Sequence, residues 1–561
     1  MGEKPNGKSQ ITMNSLNRSL FRDLRCAAGV ILLTASGLRA DVKMPSIFGS
    51  HMVLQQDTKI PVWGWAAPGE EVTVTLGGST AKATAEANGN WRADLPPAKT
   101  ESKPQTLTVA GKNTIKFDDV LVGDVWVCSG QSNMQFSLSH AHNAATELPK
   151  ADDPQLRLFA VVGKTAMEPQ CDVPGKWVVC TPETVATFSA VGYFFAKELR
   201  PILKRPIGLI GVYWGGTMAQ AWTSLPGLQK DPPFANYVAA HAKVEADFAK
   251  RNAAFPGLVD AYRVANKKWT AEDAPAYNVA ISQWKQEADK AKAANQTPPP
   301  APTPAHPKPA APAYPDGGQN SPANLFNGMV APLIPYAIKG VIWYQGESNQ
   351  GREVEYATLF PRMITDWREK WSSDFPFLFV QLAAFGTGPG PGWARLRESQ
   401  TKALALPKTG MAIAIDVGDP PNIHPKDKFD VGHRLALAAR HVAYGEDLVY
   451  SGPMYDSMKV EGGNVVLSFK NTGSGMIIDA PPWVATGDVP PPAAELKGFV
   501  IAGENKKWFP AAAKIDGDTV VVSSPDVPKP VAVRYAWENS PVCNLYNKEH
   551  LPASPFRTDD W

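Results

Sequence analysis

The sequence predicts an α/β fold: a parallel sheet covered by helices on both faces, with β-rich domains on either side. The first observation is the middle of the chain, where apolar, strand-like runs at 125–127, 207–212, 338–344, 377–382 and 411–415 alternate with helical stretches such as 189–199. Short continuous apolar runs separated by helices are what a parallel sheet buried on both faces requires. The second is residues 41–119, where Glu71-Val72-Thr73-Val74-Thr75-Leu76 runs into Gly77-Gly78 and Asn88-Gly89-Asn90 follows, the alternation and turn chemistry of a small β domain. The third is the C-terminal region, where Asn464-Val465-Val466-Leu467-Ser468-Phe469 and Thr519-Val520-Val521-Val522 give the same signals.

The 561 residues are several times what one core organises, so the chain divides. The reading is 1–40 as an export signal, 41–119 as the N-terminal β domain, 120–225 and 323–447 as two parts of one α/β domain, and 448–561 as a C-terminal β-rich domain. Between the two parts, 226–322 reads as an insertion. Its stretch 228–292 is Ala-rich and charged, as surface helices are, and 297–315 is Pro-rich and extended. Proline cannot donate to a central sheet, so this segment is expected outside the α/β core.

At the N-terminus, Arg18, Arg22 and Arg25 precede an apolar run at 26–33, and small residues lead toward Ala40. That is an export signal with a plausible cleavage point, and Met13 is an alternative start. The expected location is secreted or periplasmic. No later run is long enough to span a bilayer, so no stable membrane anchor is expected. A net charge of +2 from 56 basic and 54 acidic residues gives no field to gather phosphates, so nucleic acid is not an expected partner. After Cys26 is removed with the signal, Cys171 and Cys180 lie close enough in sequence to bridge a loop. No Cys/His cluster suggests zinc, and no cofactor or metal is called for. Oligomeric state is left open.

The chemistry concentrates at strand ends. Val125-Trp126-Val127-Cys128-Ser129-Gly130-Gln131-Ser132-Asn133-Met134 is an apolar strand running into a Gly-x-Ser-Asn turn. A serine there lies at the carboxyl edge of a parallel sheet, where ligands of open α/β folds bind. The second glycine of a Gly-x-Ser-x-Gly elbow is missing, so the ordinary α/β-hydrolase signature is absent. Tyr213-Trp214-Gly215-Gly216-Thr217 and Trp343-Tyr344-Gln345-Gly346-Glu347-Ser348-Asn349 end two further strands, and Asn422-Ile423-His424-Pro425 places a histidine in a loop beyond another. Each motif is weak alone. Four on one sheet edge are harder to dismiss, and a serine hydroxyl, which needs an adjacent proton acceptor, together with an imidazole that titrates near neutrality are residue types that fit nucleophilic chemistry.

In combination these motifs, with Met52-Val53-Leu54-Gln55-Gln56 near the start and Leu551-Pro552-Ala553-Ser554-Pro555-Phe556-Arg557-Thr558 near the end, resemble the sialate O-acetylesterase family of the SGNH hydrolase superfamily. The resemblance implies a three-layer α/β/α SGNH-type domain that removes acetyl groups from sialic acid or other acetylated glycans. It implies Ser132 as nucleophile, His424 as base, and an oxyanion hole made by the Ser132 amide, the amide of Gly215 or Gly216, and the Gln345 side chain. The carboxylate orienting the histidine is less determined. Pro421 and Asn422 occupy the places where related esterases often carry it, leaving Glu347 as the first candidate, with Asp419, Asp416 or a main-chain carbonyl as alternatives. Gln220 stands where many relatives carry Glu, and the Pro-rich insertion is foreign to the core family. Trp214 and Trp343 are candidate stacking surfaces for a sugar, whereas His140, His142, His433 and His441 have ordinary packing or solvated roles. The same apparatus serves an acetylxylan or other polysaccharide acetylesterase, and the rival from another class is an inactive glycan-binding protein.

Overall fold

The computed structural model describes residues 41–294, 296–386, 390–484, 487, 491 and 493–561. The export-signal reading, Cys26 and Met13 lie outside them. In the N-terminal β domain, Glu71–Leu76 pairs with Ser79–Thr84 and with Glu101–Ala110, both antiparallel, so the Gly77-Gly78 turn closes the expected hairpin.

The boundary read at 119/120 falls inside one strand. Strand β1, Thr114–Gly130, runs for 17 residues. Its first half, partly exposed at Thr114, Lys116 and Asp118, pairs with Glu101–Ala110, and its second half is buried and enters the α/β sheet. Helix α1 is the short turn Ser132–Gln135, followed by β2, Asp153–Ala160, β3, Trp177–Cys180, helix α2, Ala190–Leu203, and β4, Ile207–Tyr213. After the insertion come β5, Gly340–Tyr344, helix α5, Glu353–Trp371, β6, Phe377–Gln381, β7, Thr409–Ile413, and helix α6, Phe429–Val442. Helices α3, Ala235–Glu272, and α4, Ala274–Ala293, belong to the insertion.

The strand order is β7-β6-β5-β1-β4-β2-β3, parallel throughout except for β3 against β2. β1 is therefore central, with β4 on one side and β5 on the other. The chain reverses its direction of winding there, and the crevice beyond the carboxyl end of β1 is the natural ligand site of such a sheet. On one face α2 packs on α6 so closely that a Cβ at Gly432 would sit 2.6 Å from the Phe194 Cβ, and Trp126 meets Phe195 at 5.0 Å. On the other face Trp343 packs against Phe360 and Trp367 of α5. Three layers follow. Ser189 caps α2 by accepting a 3.0 Å hydrogen bond from Gly192 N–H, which fixes the helix start.

The insertion is not wholly peripheral. Its first residues, Leu228 and Phe234, are fully buried in the main core, and Tyr237 at the base of α3 is nearly so. Beyond them α3 and α4 form a largely exposed pair. The Pro-rich stretch 297–314 has no regular secondary structure and lies along these helices, accepting from Trp284 Nε1 at Pro299 O (2.7 Å) and from Trp269 Nε1 at His306 O (3.0 Å). Tryptophan N–H groups suit such a stretch, because proline carbonyls are acceptors left without a helical partner.

The C-terminal strand Asn464–Lys470 pairs with Met454–Glu461 and Thr519–Ser523, all antiparallel. The cysteine expectation is corrected: Cys180 is a free, buried thiol, so it does not bridge Cys171. Cys180 sits in β3 and points into the core, with its sulfur 3.6 Å from Ala151 O. Among the described residues, no helix is long and apolar enough to cross a membrane and no group of three or more acidic, His or Cys side chains is arranged to hold a metal ion.

Candidate active site

β1 ends at Gly130, whose backbone takes φ +134°, and a Cβ there would lie 2.1 Å from Tyr344 O on the neighbouring β5. Only glycine permits both the turn and the close approach. Gln131 N–H then donates to Tyr344 O (3.0 Å), which locks the turn and starts α1 at Ser132. Ser132 is half-buried at the sheet edge. Its Oγ lies 2.8 Å from His424 Nε2. The loop that delivers His424 is held locally, since Asn422 Oδ1 accepts from His424 N–H (3.0 Å) and Asn422 Nδ2 donates to His424 O (3.1 Å).

β4 ends beside them. A Cβ at Gly215 would lie 3.2 Å from the Ser132 Cβ, so a side chain there would crowd Ser132. Gly216 takes φ +71° with open space where a Cβ would be. Asn320 braces this turn, accepting from Met218 N–H (2.9 Å) and donating to Gly216 O (3.0 Å). The structure thus brings Ser132, His424, Gly215 and Gly216 together. Gly215 N–H donates to Gln135 Oε1 at 2.8 Å, and Gln135 is exposed, so the Gly215 amide is covered by a side chain free to swing away.

The other residues read from the sequence are engaged elsewhere. Gln345 does not face the nucleophile as a free donor: its Nε2 donates to Thr217 O (3.0 Å) and Asn349 Oδ1 (2.7 Å). Tyr356 O–H donates to its Oε1 (3.0 Å), which fixes the amide in that orientation. Both amide hydrogens are spent on the protein, and Gln345 serves to hold the Thr217 turn. Glu347 does not reach the histidine either; its Oε1 accepts from Asn133 Nδ2 at 2.6 Å. Asp416 is engaged by both Arg434 guanidinium nitrogens at 2.6 and 2.8 Å and by Tyr546 O–H, while Asp419 meets Asn422 through its main chain. Among the described residues, Ser132 is the one side chain bonded to the His424 ring. Trp343 is fully buried and cannot stack on a sugar, whereas Trp214 is half-exposed beside Gly215.

Two residues that sequence reasoning missed stand in this pocket. Asn133 is 1% exposed and Lys428, at the foot of α6, is fully buried with its Nζ 2.6 Å from Asn133 Oδ1. Pro-Lys-Asp-Lys looks like a solvated turn, and nothing local betrays that Lys428 points inward over the Phe136 and Tyr344 rings (4.8 and 5.3 Å). The neighbouring histidines behave as expected: His433 pairs with Glu198 (2.9 Å), His441 stacks on Tyr450, His140 bonds Ser137, and His142 stacks on Trp483.

Burial pushes the His424 pKa below its ordinary value, and the positive charge of Lys428 lowers it further. Burial also lowers Lys428, to about 7, against the pull of Glu347 and Asp427, and raises the Glu347 carboxyl, against its hydrogen bond from Asn133. A base must be neutral to accept a proton, so a lowered pKa keeps His424 competent further into acid. The acid limb of kcat/KM is therefore expected below pH 6.5, the ordinary histidine value. A limb above pH 7 in a pH-rate profile would contradict it.

A serine hydroxyl bonded to imidazole, at the carboxyl edge of a three-layer parallel sheet with a glycine turn behind it, defines a serine ester hydrolase of the α/β class. Comparison with known proteins gives the family. A model described as carbohydrate esterase, sialic acid-specific acetylesterase, matches residues 322–441. The sialate O-acetylesterase of Mus musculus is 29% identical, covering 94% of this chain and 97% of its own, and that of Homo sapiens is 28% identical over 92% of each. The crystal structure of a carbohydrate acetylesterase from Xanthomonas citri is 37% identical, covers 93% of this chain and all of its own, and superposes with a TM-score of 0.72. The chain belongs to the sialate O-acetylesterase family of carbohydrate esterases.

Proposed function

We propose that this acetylesterase works through an acetyl-enzyme on Ser132, with O-acetylated sialic acids or related acetylated glycans as substrate, and that it is exported to do so. The observation that carries the reading is the 2.8 Å contact between Ser132 Oγ and His424 Nε2. With the ring neutral, Ser132 O–H donates to Nε2, and Oγ attacks the acetyl carbonyl as its proton passes to the ring. The imidazolium then returns that proton to the departing sugar oxygen, and water repeats the cycle to release acetate. The tetrahedral oxyanion is met by the Ser132 N–H at the first turn of α1 and by the Gly216 N–H, each such donor contributing about 10²–10³ in rate. The Gly215 amide joins them when Gln135 swings aside.

A second reading, esterase action on an acetylated polysaccharide, is kept because the solved structure 37% identical to this chain is described as a carbohydrate acetylesterase, a description that does not name sialic acid. Acetate release by the purified protein from O-acetylated sialic acids and from acetylated xylan decides between them. Release from the sialic acids alone supports the first reading, and release from xylan alone replaces it. The insertion is proposed to govern access for large substrates, because Tyr237 at the base of α3 bonds Arg352 (3.3 Å) in the loop that follows Asn349. Removing residues 247–312, which spares the buried Leu228, Phe234 and Tyr237 and the brace Asn320, is expected to preserve hydrolysis of a small acetyl ester and to change kcat/KM on a polymeric glycan. Unchanged kcat/KM on both would show the insertion has no part in substrate choice.

A further inference from the structure

Asn133 follows the nucleophile in the chain, and its side chain is spoken for at every atom. Nδ2 donates to Glu347 Oε1 (2.6 Å) and to Ile423 O (2.9 Å), and Oδ1 accepts from Lys428 Nζ (2.6 Å). Ile423 precedes His424. The residues therefore close a ring: Ser132 to Asn133 through the chain, Asn133 to Ile423 by a hydrogen bond, Ile423 to His424 through the chain, and His424 back to Ser132 at 2.8 Å. We propose that Asn133 is a positioning residue that, through the Ile423 carbonyl, sets His424 against Ser132, the task a carboxylate on the histidine ring performs in an ordinary triad.

The acid and the base on either side give the amide one orientation. Its oxygen accepts from Lys428 Nζ, its nitrogen donates to a Glu347 carboxyl oxygen, and the remaining N–H points at Ile423 O. Turning the amide over would set its N–H groups against Lys428 Nζ and its oxygen against the Glu347 carboxyl oxygen, and would lose the bond to the histidine loop. Asn133, Glu347 and Lys428 are all buried, so water does not substitute for any of these partners. Glu347 accordingly acts on the histidine at two removes, which explains a buried carboxylate close to the site with no bond to the ring.

The inference rests on Ser132 and His424 being the reacting pair, and the test separates the two. Full-length variants are compared for the rate at which a fluorophosphonate labels Ser132 and for kcat and KM on p-nitrophenyl acetate. Asn133→Ala is expected to lower both the labelling rate and kcat by about 10²-fold with KM little changed, the scale of a reacting group displaced by roughly 1 Å. Glu347→Gln, which keeps an acceptor for Asn133 and leaves Lys428 in place, is expected to cost roughly tenfold in kcat, far short of the about 10⁴-fold that the amide exchange of a true triad acid costs. If Asn133→Ala does not fold, the neutral pair Lys428→Met/Glu347→Gln decides, with a loss in kcat of at least about tenfold expected. Wild-type labelling and kcat in Asn133→Ala or in that pair, a loss confined to KM, or a triad-sized loss in Glu347→Gln would each overturn the inference. A wild-type protein that the probe does not label at Ser132 would instead overturn the catalytic reading beneath it.

Discussion

Ser132→Ala is expected to lower turnover of a small acetyl ester by about 10⁴-fold or more while the protein keeps its cooperative thermal transition. The side chain is half-buried and, among the described residues, its polar partner is His424 Nε2, so removing one oxygen leaves the surrounding packing untouched. What disappears is the acetyl-enzyme route. What remains is binding plus the amides of the Ser132 and Gly216 turns, which the alanine variant retains because they are main chain. Steady-state rates on p-nitrophenyl acetate beside a melting curve check both halves, and retention of more than about a tenth of wild-type kcat would remove Ser132 from the mechanism.

His424→Ala is expected to be nearly as damaging, and the double variant with Ser132→Ala to cost little more than either alone. The two groups share one proton across 2.8 Å, so neither contributes without the other. Losses that multiply in a double-mutant cycle would show independent roles. The loop itself should survive, because Asn422 bonds to the main chain of residue 424 and not to the ring.

Much of this architecture is legible in the sequence because buried parallel strands are written as uninterrupted apolar runs. Ile207–Tyr213 and Phe377–Gln381 appear within a residue of where their apolar runs place them, and the Ser189 cap marks the start of its helix. The continuity of Thr114–Gly130 is harder to read. Its first half alternates because one face meets solvent, and its second half does not because both faces are covered, so a single strand imitates a domain boundary. At the site, Ser132, His424 and the paired glycines stand out at or beyond strand ends, but each motif is weak alone and their roles are read from the family resemblance. Glu347 and Gln345 are misleading for a common reason: sequence shows that a polar group comes near, while its partner is chosen by what else is buried there. Asn133 stands between Glu347 and the histidine loop, and Thr217 and Asn349 take the amide of Gln345. Lys428 carries no local signal of burial, since its place over two aromatic rings and against Asn133 is made by residues more than eighty positions away in sequence.

The most direct test is to look for the acetyl group itself. Mixing the enzyme with excess p-nitrophenyl acetate, quenching in acid within the burst phase and mapping the digested protein by mass should find one acetyl group on Ser132, formed at the burst rate and absent from Ser132→Ala. Turnover without acetyl on Ser132 at any quench time, or the same acetylated peptide and burst in Ser132→Ala, would contradict the account.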